Sequence, residues 1–413
     1  MSRFAVKIIA CLAAAILFFG CAGRKTGQPE GAAAPAAQAA EAAPAQEETA
    51  PVPAEAEPAA PEADEMPIFE ELTGIPAETA VMRVGEREIS SEYYFYWLCF
   101  VCSSLEYNIV QDYNAYGLYA SCIDTKSMTV DWTSKLAGLP LMEYARAQAE
   151  DTIRYYISIE ELAMENGVTL TEKDLADMAS VFDGQVAAMG GPDAFRQYLR
   201  VLGISRETFD RITAASYLYD GMLAQVLAEG SPLYLPDPEY DRYAKFADHI
   251  LIATQDLKSG EQLAPAKVME KYELAQELRS RLEGAEDPAA LFEELKGEYS
   301  EDPGKQDYPE GYVYTPGTMV PEFESAAAAL PVGGISDVVQ SDYGFHIILR
   351  KDLRDALGQD GQREEIARAY LDELLVRKRS GSPIAYDSCL DGMDWIGFYS
   401  GYVAAVERIT AEG

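Results

Sequence analysis

The proline-bearing segment Pro232–Pro238 divides this chain by the period of its hydrophobic pattern. Before it, apolar residues recur mainly at helical spacing. After it, short β-branched runs alternate with helical stretches. One part must pack helix on helix, and the other must build a small sheet covered by helices. The expected fold class is therefore α+β, a small antiparallel sheet with surrounding helices beside a mainly helical body.

On the N-terminal side, Ala80–Val84, Gly85-Glu86 and Arg87–Ile89 read as strand, turn and strand. An aromatic helix is expected from Ser91 to about Leu105, and Tyr107 to Leu139 reads as irregular. A second helix is expected over 142–166, with Gly167 in its C′ place. Thr171 to Asp174 caps a third, running to about Met189. Gly190-Gly191-Pro192-Asp193 breaks the chain and starts a fourth, which Gly203 stops. Ser205 caps a fifth, to about Glu229. On the C-terminal side, 246–253 reads as a strand and 266–282 and 289–299 as helices. A turn-rich loop covers 301–318, a short helix 321–330, and strands 335–340 and 345–350. A helix over 362–377 follows. The tail carries Tyr386, Trp395, Phe398 and Tyr399 and is apolar enough to dock.

The first 66 residues stand apart. Arg3 and Lys7 precede an apolar run from Ile8 to Phe19, which is short for a bilayer span and suits a signal peptide over 1–20. The run closes on Gly20-Cys21, which resembles the lipobox of bacterial lipoproteins and implies a lipidated Cys21. Residues 21–66 then read as a disordered linker of Ala, Pro, Glu and Gln, which lacks the apolar surface to fold.

Composition narrows the chemistry. Against 33 basic residues stand 69 acidic ones, a net charge of −36, which argues against a nucleic-acid partner. Only two histidines, His249 and His346, are present, so a His-rich metal site is not expected. Cys99-Phe100-Val101-Cys102 lies in the aromatic helix with no second such pair, and reads as core thiols or a structural pairing. Cys122 and Cys389 are further candidates for disulfides, with connectivity open.

Both histidines sit on short β-branched runs, Asp248-His249-Ile250-Leu251-Ile252 and Gly344-Phe345-His346-Ile347-Ile348-Leu349. Alternation puts His249 on one strand face with Leu251, and His346 with Ile348. Two neutral imidazoles brought together in a sheet can share a proton and fix each other's tautomer.

With these strands in place, residues 246 to 352 resemble a parvulin-type peptidyl-prolyl isomerase domain. The resemblance rests on His249–Ile252, Phe292–Leu295 with Glu298–Gly304, Pro316–Glu324, Gly334–Val339 and Tyr343–Ile348. It implies that His249 and His346 are the paired active-site histidines, with Asp302 where the family carries a Cys or Asp. It implies Met319 and Phe323 as proline-pocket residues and Tyr314 as an aromatic of the pocket wall, with Ser300 and Ser341 as neighbours. Tyr308-Pro309-Glu310-Gly311-Tyr312 departs from the family's Gly-Gly-Asp-Leu-Gly run. No basic triplet follows His249, so a preference for phosphorylated targets is not expected.

The flanking segments are similar to the helical chaperone region of PrsA/SurA-type foldases, through Val81–Ile89, Gly167–Glu172 and Gly190–Tyr219. The expected layout is a helical chaperone-like region over 67–238, an isomerase domain over 241–353, and a C-terminal helix and tail over 354–413 that dock on the helical region. The resemblance implies an extracytoplasmic isomerase and chaperone, tethered to a membrane through its lipid. Its partners would be unfolded secreted polypeptides with X-Pro bonds, and it would need no cofactor and no metal. A non-catalytic chaperone using a degenerate parvulin scaffold is the alternative, carried by the 308–312 departure. Mass spectrometry of the membrane fraction is expected to find diacylglyceryl on Cys21; a soluble product starting at another residue would remove the lipoprotein reading.

Overall fold

The computed structural model describes residues 67–358 and 361–412. The expected leader, Cys21 and the linker lie outside the described residues. The chain forms two units. One contains the described residues up to Arg154, with Asp177–Ser216 and the segment from Pro383 onward. The other is Tyr155–Ala176 with Tyr217–Ser382.

In the first unit, strands β1 (Ala80–Val84) and β2 (Arg87–Ser90) form an antiparallel hairpin around Gly85, whose φ of 57° suits glycine. The tail segment Ile384–Tyr386 pairs antiparallel with the other edge of β1. Ser90 ends β2 and caps the helix Ser91–Tyr116, its hydroxyl accepting from the Tyr93 N–H. Tyr93 through Cys99 are all buried, so the first turns of this helix are enclosed on every side. Phe95 stacks near Phe69 and Phe398, and Phe398 lies on the tail helix Trp395–Glu412.

Two expectations need correction here. The aromatic helix continues past Leu105 to Tyr116, because no Pro or Gly interrupts it before Gly117, which closes it in the left-handed region. The remainder of the irregular stretch contains two small antiparallel ladders: β3 (Ile123–Asp124) with β4 (Thr129–Val130), and β5 (Lys135–Leu136) with β6 (Leu139–Pro140). Cys99, Cys102 and Cys122 are buried free thiols, and Cys389 is an exposed one.

In the second unit, β7 (Lys245–Ala253), β8 (Tyr312–Tyr314), β9 (Val339–Gln340) and β10 (Gly344–Lys351) form an antiparallel sheet in the order β8-β7-β10-β9. Ile250, Ile252, Phe345, Ile347 and Leu349 occupy one face. They pack on Ala275, Leu278 and Leu282 of the helix Pro265–Glu283 and on Phe292 and Leu295 of the helix Pro288–Tyr299. The opposite face presents Ala247 and Ile348 to Phe323 and Ala327 of the short helix Pro321–Ala329. Alternation thus gives each strand a fully covered side and a side that faces this short helix.

The strand expected over 335–340 is reduced to Val339–Gln340 and an isolated bridge from Ile335 to Leu349. Ser336 is the reason. Its hydroxyl, rather than a backbone carbonyl, accepts from the Ile348 N–H at 2.9 Å, while its own N–H reaches the Ile348 carbonyl. The turn-rich loop over 301–318 contains the edge strand β8, which pairs Tyr312 with Ala247 and Tyr314 with Lys245.

Buried charge fixes this loop. Lys296 Nζ lies 2.5 Å from Asp248 Oδ2, with side-chain exposures of 10% and 3%. The same ammonium donates to the Pro309 carbonyl at 2.7 Å, and Lys351 Nζ donates to the Glu310 carbonyl at 2.8 Å. Gly311, at φ 101°, runs so close to β7 that a Cβ would lie 2.7 Å from the Ala247 oxygen. Lys296→Met is expected to strand the Asp248 carboxylate and cost about 3 kcal/mol, as removal of one partner of a buried pair does. Urea unfolding at neutral pH checks this. The double variant Asp248→Asn/Lys296→Met should recover most of the loss.

Candidate active site

The register of β7 and β10 sets Ile348 opposite His249 and Leu251 opposite His346. The two histidines are therefore diagonal neighbours on one face. Their Nδ1 atoms are 3.4 Å apart although 97 positions separate them in the chain. At the far side, His346 Nε2 meets the Ser341 hydroxyl at 2.7 Å, and that hydroxyl accepts from the Tyr343 N–H.

Asp302 reaches the same face because the segment before it binds along β7. The Leu251 N–H donates to the Ser300 hydroxyl, the Glu301 N–H to the Leu251 carbonyl, and the Ala253 N–H to the Glu301 carboxylate. Asp302 then caps the turn Pro303–Gln306, with Oδ1 accepting from the Gly304 N–H at 3.1 Å. Its Oδ2 accepts from the Tyr312 hydroxyl at 2.6 Å and lies 3.2 Å from His249 Nε2. The histidine contact is close but poorly aligned, since Nε2 has no well-formed hydrogen bond.

Phe323 closes the apolar side. Its ring stands edge-on to His249 at 5.2 Å, to Tyr314 at 5.8 Å and to His346 at 5.9 Å between centroids. Tyr314 and Phe323 are buried with Ala247 and Ile348, and half-buried Met319 packs against the cluster. Glu324 positions the Met319 loop by accepting from the Gly317 and Met319 N–H groups at 2.9 and 2.8 Å. The structure thus brings together His249, His346, Asp302, Tyr314, Met319 and Phe323, with Ser300 and Ser341 beside them. Cys21 is outside the described residues. Among the described residues no cluster of His, Cys, Asp and Glu suits a metal ion.

Sequence reasoning passed over Glu324, Gly304 and the role of Tyr312. The alternation Tyr312-Val313-Tyr314 was the available signal, since it marks a strand that points both tyrosines to one face.

Electrostatics separates the polar groups. Burial alone would raise the Asp302 carboxyl, but the bonds and charge of His249 and Tyr312 outweigh it and hold the group at about 2. Burial, reinforced by the neighbouring His249, pushes His346 down to about 3, against a smaller opposing pull from Asp302. Tyr312 is raised, first by burial and then by Asp302. At neutral pH the site therefore holds one carboxylate beside a neutral His346 and a neutral phenol. The Ser341 hydroxyl pairs with His346 Nε2, the Nδ1 atoms of the two histidines face each other, and His249 Nε2 and the Tyr312 O–H both face Asp302.

Residues 249–352 match the family Rotamase: PPIC-type PPIASE domain, so this part of the chain is a parvulin-type domain. The chain is similar to particular foldases and chaperones. It is 36% identical over 140 residues to a Foldase protein PrsA of Oceanobacillus iheyensis, covering 32% of this chain and 45% of that protein. It is 38% identical over 120 residues to a Chaperone SurA of Chromohalobacter salexigens, covering 29% of this chain and 25% of that one. The chain thus spans less than half the length of these curated relatives. Among solved structures, Peptidylprolyl Isomerase (PrsA) from Bacillus cereus matches over 70% of this chain and 91% of that chain, at 20% identity and a TM-score of 0.26.

A histidine kept neutral in the fold but free to protonate when unfolded makes stability depend on acid. His346 contributes fully above the unfolded value of about 6.5, and its contribution drains away as pH falls from there towards about 3. Between pH 7 and pH 5 the domain should lose about 2 kcal/mol through this group. Chemical unfolding at the two pH values measures it, and His346→Gln should flatten the dependence.

Proposed function

We propose that the chain is an extracytoplasmic peptidyl-prolyl cis/trans isomerase and chaperone, held to a membrane through a lipid on Cys21. Its clients are unfolded or partly folded secreted polypeptides with X-Pro bonds. The isomerase domain occupies 241–353, and the helical region 67–238 with 354–413 is the chaperone body. The observation that carries the enzymatic reading is the meeting of an ionised Asp302, the paired His249 and His346 rings and the apolar Phe323 cluster on one sheet face.

The reaction asks for little covalent chemistry. Rotation about a peptide bond faces a barrier of ~18–20 kcal/mol, and the X-Pro bond needs only preferential binding of its twisted form. Phe323, Met319 and Tyr314 receive the proline ring in a dry apolar setting. Rotation removes the resonance that places negative charge on the carbonyl oxygen. A fixed carboxylate nearby opposes that charge in the planar form and so favours the twisted one. His249 lies beside Asp302, and His346 pairs with it to complete the polar side of the site. The similarity to foldases named PrsA and SurA supports the chaperone assignment.

Phe323→Ala should lower prolyl isomerisation at least tenfold while suppression of client aggregation stays near wild type. One activity needs a single pocket and the other broad apolar surface. Truncating this buried ring also costs roughly 3–5 kcal/mol of stability, so circular dichroism must confirm folding. Asp302→Ala is the gentler companion. Wild-type isomerisation rates in both folded variants would transfer the protein to the scaffold reading.

A further inference from the structure

We infer that Tyr312 is a positioning residue of this site: its hydroxyl fixes Asp302 and so sets the carboxylate oxygen that faces His249. The inference rests on the isomerase reading for its effect on rate, but not for its effect on Asp302.

Three observations carry it. The phenol donates to Asp302 Oδ2 at 2.6 Å, the same oxygen that faces His249 at 3.2 Å. Tyr312 is held there by pairing with Ala247 on β7, and its ring lies 5.7 Å from that of His249. The approach is possible only because residue 304 is glycine. A Cβ on Gly304 would lie 2.1 Å from the Tyr312 hydroxyl oxygen, while its N–H holds the other Asp302 oxygen. Glycine and tyrosine thus form two halves of one cradle around a carboxylate.

The cradle has a chemical consequence. The His249–Asp302 contact is poorly aligned, so it does not by itself orient the carboxylate. The Tyr312 bond is short, is made to a charged acceptor and is well placed to do so. With Asp302 fixed and ionised, its Oδ2 is held 3.2 Å from His249 Nε2, and the Nδ1 of the same ring faces His346 Nδ1, whose Nε2 pairs with Ser341. The groups facing Asp302 are His249 on β7, Tyr312 on β8 and the Gly304 N–H on its own turn. Lys305 on that turn is engaged by the Ser300 carbonyl instead. Tyr312 comes from the 308–312 segment that departs from the family pattern, so the departure installs a donor and does not simply remove a loop.

The full chain tests this with Tyr312→Phe, which deletes only the hydroxyl, and Gly304→Ala, which displaces it without altering the tyrosine. Carboxyl ¹³C NMR, with the Asp302 signal assigned by its loss in Asp302→Asn, reads the carboxylate directly. Both variants should raise the Asp302 titration midpoint by about one pH unit. Both should also lower kcat for a proline peptide roughly three- to tenfold with KM unchanged, as loss of orientation does. Thermal unfolding confirms that each variant is folded. An unmoved Asp302 midpoint in either folded variant overturns the inference, as does a moved midpoint with wild-type kcat. A wild-type chain that does not isomerise prolines while the midpoint still moves would refute the proposed activity and leave the Tyr312 clamp standing.

Discussion

The antiparallel pairing of Lys245–Ala253 with Gly344–Lys351 is the constraint on which the site depends. Because side chains alternate with a period of two, shifting either strand by one residue would send its histidine into the helix-covered core and bring an isoleucine or phenylalanine to the site. The register is held from the covered side. Ile250, Ile252, Phe345, Ile347 and Leu349 fill the space against two helices, and a one-residue slip of either strand would turn its share of that set away from them. The hydrophobic effect on one face therefore determines the geometry of the polar groups on the other.

Much of this was legible in the sequence. The β-branched runs around His249 and His346, with glycine and proline punctuation between them, specified two strands of one sheet and the face each histidine takes. The apolar residues of the 321–330 segment placed Phe323 on a short helix. What escaped notice has a common physical origin. The edge strand Tyr312–Tyr314 is three residues long and lies among turns, so its single alternation is easily passed over. The break near Ser336 depends on a side chain that substitutes for a backbone partner, which no local pattern reveals. The continuation of the aromatic helix to Tyr116 was hidden because Tyr and Asn carry weak helix preference, although nothing in 107–116 stops a helix.

The segment 308–312 shows how a departure from a family pattern is read in physical terms. Two lysines grip its carbonyls, at Pro309 and Glu310, and Gly311 is pressed against the sheet backbone. A loop tied at three consecutive residues sets the direction of the fourth, and that residue is Tyr312. The charge on Lys296 is compensated by the nearly inaccessible Asp248, so that contact is internal to the domain and screened less by salt than the Lys296 and Lys351 contacts with the more exposed Glu293 and Glu310.

The separation of the histidines along the chain also bears on assembly. One half of the polar centre lies on the first strand of the sheet and the other on the last, 97 positions later. Closing so long a loop is entropically costly and comes with the final, non-local strand pairing. The early strand carries His249, and Asp302, Tyr312 and Phe323 lie on segments between the two histidines. The histidine pair is complete only when the last strand is in place, and a chain interrupted anywhere between Ala253 and Gly344 lacks His346 and the strand register that sets it against His249.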